Sequence, residues 1–357
     1  MDDSIKTYKC PNCGAALTFD SKTQKLHCSH CDTSIDVEAM KALSDTPSGT
    51  DQDNARWNTS DAGSNWSSGE QQGMRSYHCP TCGAELVTDE TTAASTCAYC
   101  GSPVVLSDHL SGAKRPNYVI PFKVDKKTAK ETLKNFYKGK IFLPRAFSAE
   151  NHLDEISGIY VPFWLYSCES KGSFSFDATR THHYTDGDYD VTETEHYLVL
   201  RDGEARFNNI PVDGSSKMDD AYMDAIEPFD YSAITDFHTD YLPGYAAQTY
   251  DEDATACAPR ATARVKNTTI AAIRRTCDYT TLTPRTSKIS TTQNSVDYAL
   301  LPYWMLTPNW HGKSYHFAFN GQTGKLIGDL PIDKGRFFGL LAGITIPLGI
   351  LLKLFIF

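Results

Sequence analysis

Eight of the eleven cysteines fall into two groups that share one spacing. Each group reads C-x2-C-x14-C-x2-C, and the second repeats the first 69 positions later. Two residues between thiolates let a tight turn direct both sulfur atoms at one ion, and a second such turn completes a tetrahedral site. The spacing predicts two structural Zn²⁺ ions, each in a small zinc ribbon. The predicted metal ligands are Cys10, Cys13, Cys28 and Cys31 for one ion, and Cys79, Cys82, Cys97 and Cys100 for the other.

The residues beside the cysteines refine this prediction. Gly14, Gly83 and Gly101 each follow the second cysteine of a pair, where the chain turns sharply and glycine tolerates positive φ. His27 and His30 could each replace a cysteine as ligand, but the complete four-cysteine spacing favours histidines outside the coordination sphere. Four protein ligands leave no open position for water, so we expect both sites to be structural rather than catalytic.

Composition and charge narrow the function classes. The chain has 357 residues, of which 40% are apolar, so it can bury a sizeable core. Its formal net charge is −10, whereas proteins that bind nucleic-acid phosphates usually carry a basic surface. The first residues do not resemble a secretory signal, so we expect reduced, metal-binding cysteines rather than disulfides.

The predicted fold class is multidomain: two small β zinc ribbons, a β-rich α+β central domain and one C-terminal transmembrane helix. Residues 44–76 are rich in Ser, Thr, Gly, Asn and Asp, which predicts a flexible tether. Trp57 and Trp66 lie in it, and either dock on a partner or rest on a neighbouring surface. The predicted boundaries are 1–40 for the first ribbon, 41–76 for the linker, 77–110 for the second ribbon, 116–332 for the central domain and 337–357 for the transmembrane helix.

The central region contains a second, weaker repeat. The sequence YVPFWLY at 160–166 recurs as LLPYWML at 300–306, which predicts two copies of a strand-containing unit. Their Trp and aromatic residues either form plain core or line a ligand pocket, and large buried aromatics favour the core. A helix capped by Asp125 is expected just before the first copy.

The last 21 residues, 337–357, contain fourteen Leu, Ile or Phe. As a helix they would be about 31 Å long, which matches a hydrocarbon core of about 30 Å. Lys334 and Arg336 precede the segment and predict that the bulk of the chain is cytoplasmic, at the inner membrane. A buried core helix is the alternative. Gly339 and Gly343 have the spacing of a helix-pairing face, which would permit a homo-oligomer.

Several short motifs form a recognisable series along the chain. They are the paired CPxCG ribbons, VPFW at 161–164, PFDYS at 228–232, DYLPGY at 240–245, NGQTGK at 320–325 and GDLP at 328–331. By these motifs the chain resembles bacterial zinc-ribbon membrane proteins, described as containing a transcription-factor-IIB-type zinc ribbon and sometimes labelled primosomal-helicase-like. This resemblance implies membrane attachment and a place in envelope-stress assemblies of the phage-shock or flotillin-like kind, with no catalytic residue.

The leading hypothesis is a cytoplasmic zinc-ribbon adaptor or scaffold that binds protein partners and is held at the bilayer by residues 337–357. The alternative is a nucleic-acid-binding zinc-ribbon protein linked to transcription or replication, which the acidic ribbons disfavour. We expect no enzymatic activity, because the standard hydrolase, metalloprotease and phosphate-loop motifs are missing. The remaining cysteines and nearby histidines could in principle form a nucleophile–base pair: Cys168, Cys257 and Cys277 with His182, His183 and His196.

Overall fold

The structure is a computed structural model of the full chain. It describes residues 8, 10, 15–29, 34–38, 40, 55–92, 94–107, 112–149 and 155–356. This part of the chain has a mixed α+β fold that is rich in strands, with a small N-terminal sheet and an apolar C-terminal helix.

Sixteen strands and five α-helices follow one another in the described residues. The strands are β1 (Thr18–Asp20), β2 (Lys25–His27), β3 (Ser34–Asp36), β4 (Met74–His78), β5 (Glu85–Asp89), β6 (Val105–Ser107), β7 (Tyr118–Val119), β8 (Ser157–Asp186), β9 (Tyr189–Asp213), β10 (Thr235–Asp236), β11 (Ala246–Gln248), β12 (Thr281–Leu306), β13 (Asn309–Trp310), β14 (Lys313–Ser314), β15 (Phe317–Asn320) and β16 (Leu326–Gly328). The helices are α1 (Lys126–Tyr137), α2 (Arg145–Ala149), α3 (Asp220–Ile226), α4 (Ala254–Arg274) and α5 (Lys334–Ile356).

The chain divides into two compact units. The first comprises Met1–Arg56, Cys168–Phe207 and Thr262–Asn294. It contains the antiparallel sheet β1-β2-β3, in which Phe19 pairs with Leu26 and Leu26 pairs with Ile35. Its long strand segments are joined by hydroxyl contacts, such as the 2.6 Å hydrogen bond between Thr179 and Thr281.

The second unit comprises Trp57–Ser167, Asn208–Ala261 and Ser295–Phe357. Most of its strands belong to one sheet with the order β10-β7-β12-β8-β11-β5-β4-β6. Strand β15 pairs with β12, and β16 pairs with β15. The sheet thus joins strands from residues 74–107 to strands more than 150 positions later. Strand β6 lies at one end of this order and β10 at the other.

The two similar segments around residues 160 and 300 lie in strands at the centre of this sheet. Strands β8 and β12 are neighbours, and each has a short parallel partner on its outer side. Tyr160 in β8 is opposite Ala247 of β11, and Leu300 in β12 is opposite Val119 of β7. The repeated residues are buried, with Phe163 at 1% and Tyr303 at 0% exposure, so they form core.

The two copies also share hydrogen bonds that position the helices. The indole N–H of Trp164 donates to the Glu252 carbonyl at 2.9 Å, and that of Trp304 donates to the Val124 carbonyl at 2.8 Å. The next residue in each case caps a helix. Asp125 accepts from the Thr128 amide at the start of α1, as predicted, and Asp253 likewise accepts backbone amides at the start of α4.

Residues 57–73 contact the rest of the second unit. The Trp57 ring lies edge-on to Tyr166 with centroids 4.9 Å apart. The Trp66 indole donates to the Ala113 carbonyl at 2.8 Å, and its ring lies edge-on to Phe237. Both tryptophans therefore rest on a surface of their own chain.

The C-terminal helix α5 is exposed from Lys334 to Leu352. Lys334–Leu352 has a mean hydropathy of 1.8, and none of the most apolar stretch is buried. Asp333 caps the helix by accepting from the Arg336 amide at 3.1 Å. By length and composition α5 can span a bilayer, and its exposure differs from that of a helix buried in a soluble core.

Candidate metal centre

Four cysteine thiols converge at one end of the large sheet. Cys79 and Cys82 lie in the turn between β4 and β5, and Cys97 and Cys100 lie in the turn before β6. Their Sγ atoms all lie within 4.8 Å of one another. The shortest separations are 3.5 Å from Cys79 to Cys100 and 3.6 Å from Cys82 to Cys97. A tetrahedral ion with metal–sulfur bonds of about 2.3 Å places its sulfurs about 3.8 Å apart, so this group could bind one metal ion.

The two turns that carry these cysteines have the same backbone hydrogen bonds. Cys79 N–H donates to the Ala84 carbonyl at 2.8 Å, and Gly83 N–H donates to the Cys79 carbonyl at 2.8 Å. In the second turn, the Cys97 amide bonds to the Ser102 carbonyl and the Gly101 amide to the Cys97 carbonyl, at 2.8 and 2.9 Å. Gly83 and Gly101 adopt φ of +72° and +73°, which confirms the conformation predicted for them.

The thiols differ in how readily they ionise. Burial raises the pKa of Cys82 and the pKa of Cys97. Burial also opposes ionisation of Cys100, but hydrogen bonds from the Ser102 hydroxyl and amide and from the Cys79 and Cys82 thiols together lower the Cys100 pKa to about 7. Cys100 is therefore more easily deprotonated than Cys82 or Cys97, and a bound dication would favour the thiolate form of its neighbours as well.

Side chains from distant strands support the second turn. The Thr307 hydroxyl lies 3.1 Å from the carbonyl oxygens of both Ala98 and Tyr99. The Tyr99 phenol donates to the amide oxygen of Gln248, whose amide N–H₂ donates to Ser215 Oγ at 2.7 Å. The sequence alone does not point to Thr307, Gln248 or Ser215, because these polar residues carry no spacing motif.

The two cysteine turns are also joined to the sheet through the backbone. Strand β5, which leaves the first turn, pairs with β4 on one side and with β11 on the other. In the antiparallel β5–β11 pair, Leu86 is opposite Gln248 and Val87 is opposite Ala247. The second cysteine group is consequently part of the large sheet of its unit.

Only half of the first cysteine group lies in the described part of the chain. Cys10 and Cys28 are buried, with 3% and 0% exposure. Cys13 and Cys31, together with Gly14, Asp32 and His30, lie outside the described residues. The Cys10 amide bonds to the Ala15 carbonyl at 2.7 Å, which is the counterpart of the Cys79–Ala84 bond. His27 Nδ1 lies 3.3 Å from Ser34 Oγ.

Cys168 and Cys257, which lie outside both groups, are buried thiols. Burial raises the pKa of Cys168 to about 11 and the pKa of Cys257 to about 12, so both thiols are neutral near pH 7. Cys257 donates to the Asp213 carbonyl at 3.5 Å. His182 Nε2 lies 3.9 Å from the Glu195 carboxylate, and His183 Nδ1 lies 2.9 Å from Thr192 Oγ1.

These observations define a class of protein. It is strand-rich, has one convergent four-cysteine group among its described residues, and carries an exposed apolar C-terminal helix. The chain is 36% identical over 342 residues to a Bacillus subtilis (strain 168) protein described as uncharacterized protein YdjG. The aligned region covers 96% of this chain and 94% of that protein. The chain belongs to the same family as that protein. No family model matches it. No solved structure matches it.

Proposed function

We propose that this protein is a membrane-anchored cytoplasmic adaptor that binds protein partners through zinc ribbons. The observation that carries the proposal is the convergence of Cys79, Cys82, Cys97 and Cys100 in a chain that ends in an exposed membrane-length helix. Four thiolates complete a tetrahedral sphere, so an ion held by them has no open position for substrate or water. Such a site supports a structural role and argues against metal-dependent catalysis.

The proposed metal is Zn²⁺ at two sites. An all-sulfur tetrahedral group suits zinc or an iron–sulfur cluster, and the paired two-residue spacing is that of zinc ribbons. The second site is proposed from the repeat, with Cys10, Cys13, Cys28 and Cys31 as ligands. Support comes from the Cys10–Ala15 hydrogen bond, which repeats the Cys79–Ala84 bond of the other group.

The proposed location is the inner face of the cytoplasmic membrane, with α5 as a single transmembrane anchor. Lys334 and Arg336 begin α5, and positive residues beside a spanning helix favour the cytoplasmic side. Reduced cysteines, which metal binding requires, agree with that side. The resemblance to zinc-ribbon membrane proteins supports the same location and suggests an envelope-stress assembly as the setting.

Strand β6 of the second ribbon offers a surface for a protein partner. It lies at the end of the sheet order and pairs only with β4 among the described strands. Val105 and Leu106 in this strand are 59% and 58% exposed. An exposed edge strand with apolar side chains is suited to adding a strand from another protein.

Affinity purification of the tagged full chain from detergent-solubilised membranes tests the adaptor function. We expect specific proteins to copurify, and we expect C79S and V105D/L106D to lose them. The matched control is Y189D, which adds a charge at an aromatic residue that is 77% exposed in the other unit. Capture of the same proteins by all variants would contradict the proposal. If nucleic acid copurifies instead, and salt releases it, the result would support the alternative function.

A further inference from the structure

Basic residues are concentrated in two chain segments that meet at the beginning of α5. Residues 126–145 contain seven lysines and arginines and one acidic residue, although the whole chain carries a net charge of −10. We call the six exposed basic residues of segments 134–145 and 334–336 the basic collar. The basic collar consists of Lys134, Lys138, Lys140, Arg145, Lys334 and Arg336.

Direct contacts hold Phe142 and Leu143, in the loop between α1 and α2, against the first turn of α5. The Asp333 amide donates to the Phe142 carbonyl at 2.8 Å. The Arg336 guanidinium donates to the Leu143 carbonyl at 3.2 Å. The Phe142 and Phe337 rings lie edge to face with centroids 5.5 Å apart. The basic residues that flank Phe142 and Leu143 are therefore fixed beside the point where the apolar helix starts.

The basic collar is exposed and has apolar side chains within it. All six collar residues are exposed, and Arg336 has an acidic neighbour in Asp333, 3.4 Å away. Ile141 and Ile332 are 63% and 65% exposed, and Phe338 is 60% exposed. Exposed isoleucines and a phenylalanine among lysines have the composition of a surface that meets lipid headgroups, with the apolar residues entering the interface.

We propose that the basic collar binds the headgroups of anionic phospholipids in the leaflet from which α5 enters the bilayer. The proposal rests on the membrane anchoring proposed above. Four to eight basic residues directly beside a spanning helix attract an anionic leaflet, and each contributes about a fivefold factor in binding. This contact orients the second unit at the membrane surface, whereas α5 alone supplies only attachment.

The test uses the full chain purified in mild detergent with an excess of phosphatidylglycerol and phosphatidylcholine in equal amounts. Mass spectrometry measures the ratio of the two lipids that stay with the protein. We expect phosphatidylglycerol to be enriched several-fold, and we expect K138Q/K140Q to bring the lipid ratio down to that of the bulk mixture. The matched control is K22Q/K288Q, which removes two exposed lysines of the other unit and should change nothing.

A second measurement protects the test against misfolding. In phosphatidylglycerol nanodiscs, labelling of Lys138 and Lys140 by an amine-reactive reagent should be slower than in phosphatidylcholine nanodiscs. Salt of about 1 M should abolish the difference, because charge interactions then reach only about 3 Å. Equal labelling in both lipids, or an unchanged lipid ratio in K138Q/K140Q, would overturn the proposal.

Two other outcomes separate this inference from the proposed function. If carbonate extraction releases the wild-type chain from membranes, the anchor itself is wrong. If the chain resists extraction but shows no lipid preference, only the basic collar is wrong. Binding of a nucleic-acid duplex that K138Q/K140Q abolishes, without lipid enrichment, would also overturn the proposal and assign the collar to nucleic acid.

Discussion

The Tyr99 phenol donates a hydrogen bond to the Gln248 side-chain oxygen, and the two residues lie 149 positions apart in the chain. Both side chains are buried, at 3% and 2% exposure. Tyr99 lies between Cys97 and Cys100, and Gln248 ends strand β11. A residue of the metal-binding turn is thus bonded directly to the centre of the second unit, and burial raises the pKa of Tyr99 well above its usual range.

Replacing Tyr99 with phenylalanine removes this bond and leaves a buried amide oxygen without a donor. An unsatisfied buried acceptor costs about 1–3 kcal/mol, so Y99F should lower the free energy of unfolding by that amount while keeping the metal. Denaturant titration and elemental analysis measure the two effects. Y189F, at a residue that is 77% exposed, is the control and should unfold like the wild type. An unchanged stability of Y99F would show that the bond contributes nothing.

The zinc content of cysteine variants tests the predicted ligands. We expect two zinc ions per wild-type chain, and C79S should lose one because three thiolates no longer complete the sphere. C277S changes a half-exposed cysteine outside both groups and should retain both ions. Elemental analysis of the purified proteins measures these values. Iron in place of zinc, or equal zinc in C79S and C277S, would contradict the assignment.

The glycines that follow the paired cysteines should tolerate alanine unequally. Both have positive φ, where a side chain costs about 1–2 kcal/mol. A Cβ on Gly101 would also lie 3.3 Å from the Thr307 carbonyl oxygen, whereas one on Gly83 would meet only the end of Lys217, at 3.8 Å. Zinc affinity, measured by competition with a chelator, should fall by about tenfold in G83A and further in G101A.

The control for the glycine variants is G187A. Gly187 has φ of +60° at the tip of the β8–β9 hairpin, and a Cβ there would meet nothing within 4 Å. It carries the same type of backbone strain away from the cysteines, so its zinc affinity should equal that of the wild type. Similar losses in all three variants would mean that the turns do not determine metal binding.

A buried carboxyl group gives stability a specific pH dependence. Burial raises the pKa of Asp213 to about 6, although the Arg260 guanidinium lies 2.8 Å away. An unfolded aspartate has a pKa of about 3.9, so the folded chain binds more protons between these values and stability falls as the pH rises from about 4 to about 6. A tenfold change in a proton-binding constant corresponds to about 1.4 kcal/mol, which gives a loss of about 3 kcal/mol across that window.

D213N removes this titration. Its free energy of unfolding, minus that of the wild type, should therefore increase by about 3 kcal/mol between pH 4 and pH 7. The comparison variant is D220N, whose parent side chain is 55% exposed and also bonds to Arg260. Denaturant titrations at several pH values measure both differences. A flat difference for D213N would show that Asp213 titrates normally.

The cysteine turns could be predicted because their chemistry is local. The second group spans 22 residues, and spacing alone places Cys79, Cys82, Cys97 and Cys100 around one point. The cap at Asp125 could be predicted for the same reason, since a cap needs only its own helix. The pairing of β5 with β11 could not, because contacts between distant segments leave no periodic signal in a single sequence.

The two similar segments have neighbours that occupy equivalent positions in the structure but are not similar in sequence. Residues 160–166 and 300–306 remain similar because both copies must fill one core with a proline and a tryptophan. The segments 119–125 and 247–253 occupy equivalent places beside them but share only the capping aspartate. Helix α4 was not predicted, and Pro259 within it argues against a helix in any reading of the sequence alone.

Single contacts made by residues 57–73 leave no trace in the composition of this segment. These residues read as a polar tether, yet their contacts depend on single groups such as the Gly63 amide, which donates to Asn117 Oδ1 at 2.7 Å. An average composition over a window of residues does not detect a single amide or indole that donates a hydrogen bond to a distant residue. The same limit applies to Tyr99 and Gln248.

Fractionation of cells that produce the full chain, or a chain that ends at Asp333, tests the central claim most directly. The claim is that α5 holds a metal-binding cytoplasmic protein at the membrane. The full chain should sediment with membranes and resist carbonate extraction, and the shortened chain should be found in the soluble fraction with its zinc retained. A soluble full chain, or a shortened chain that stays with the membranes, would contradict it.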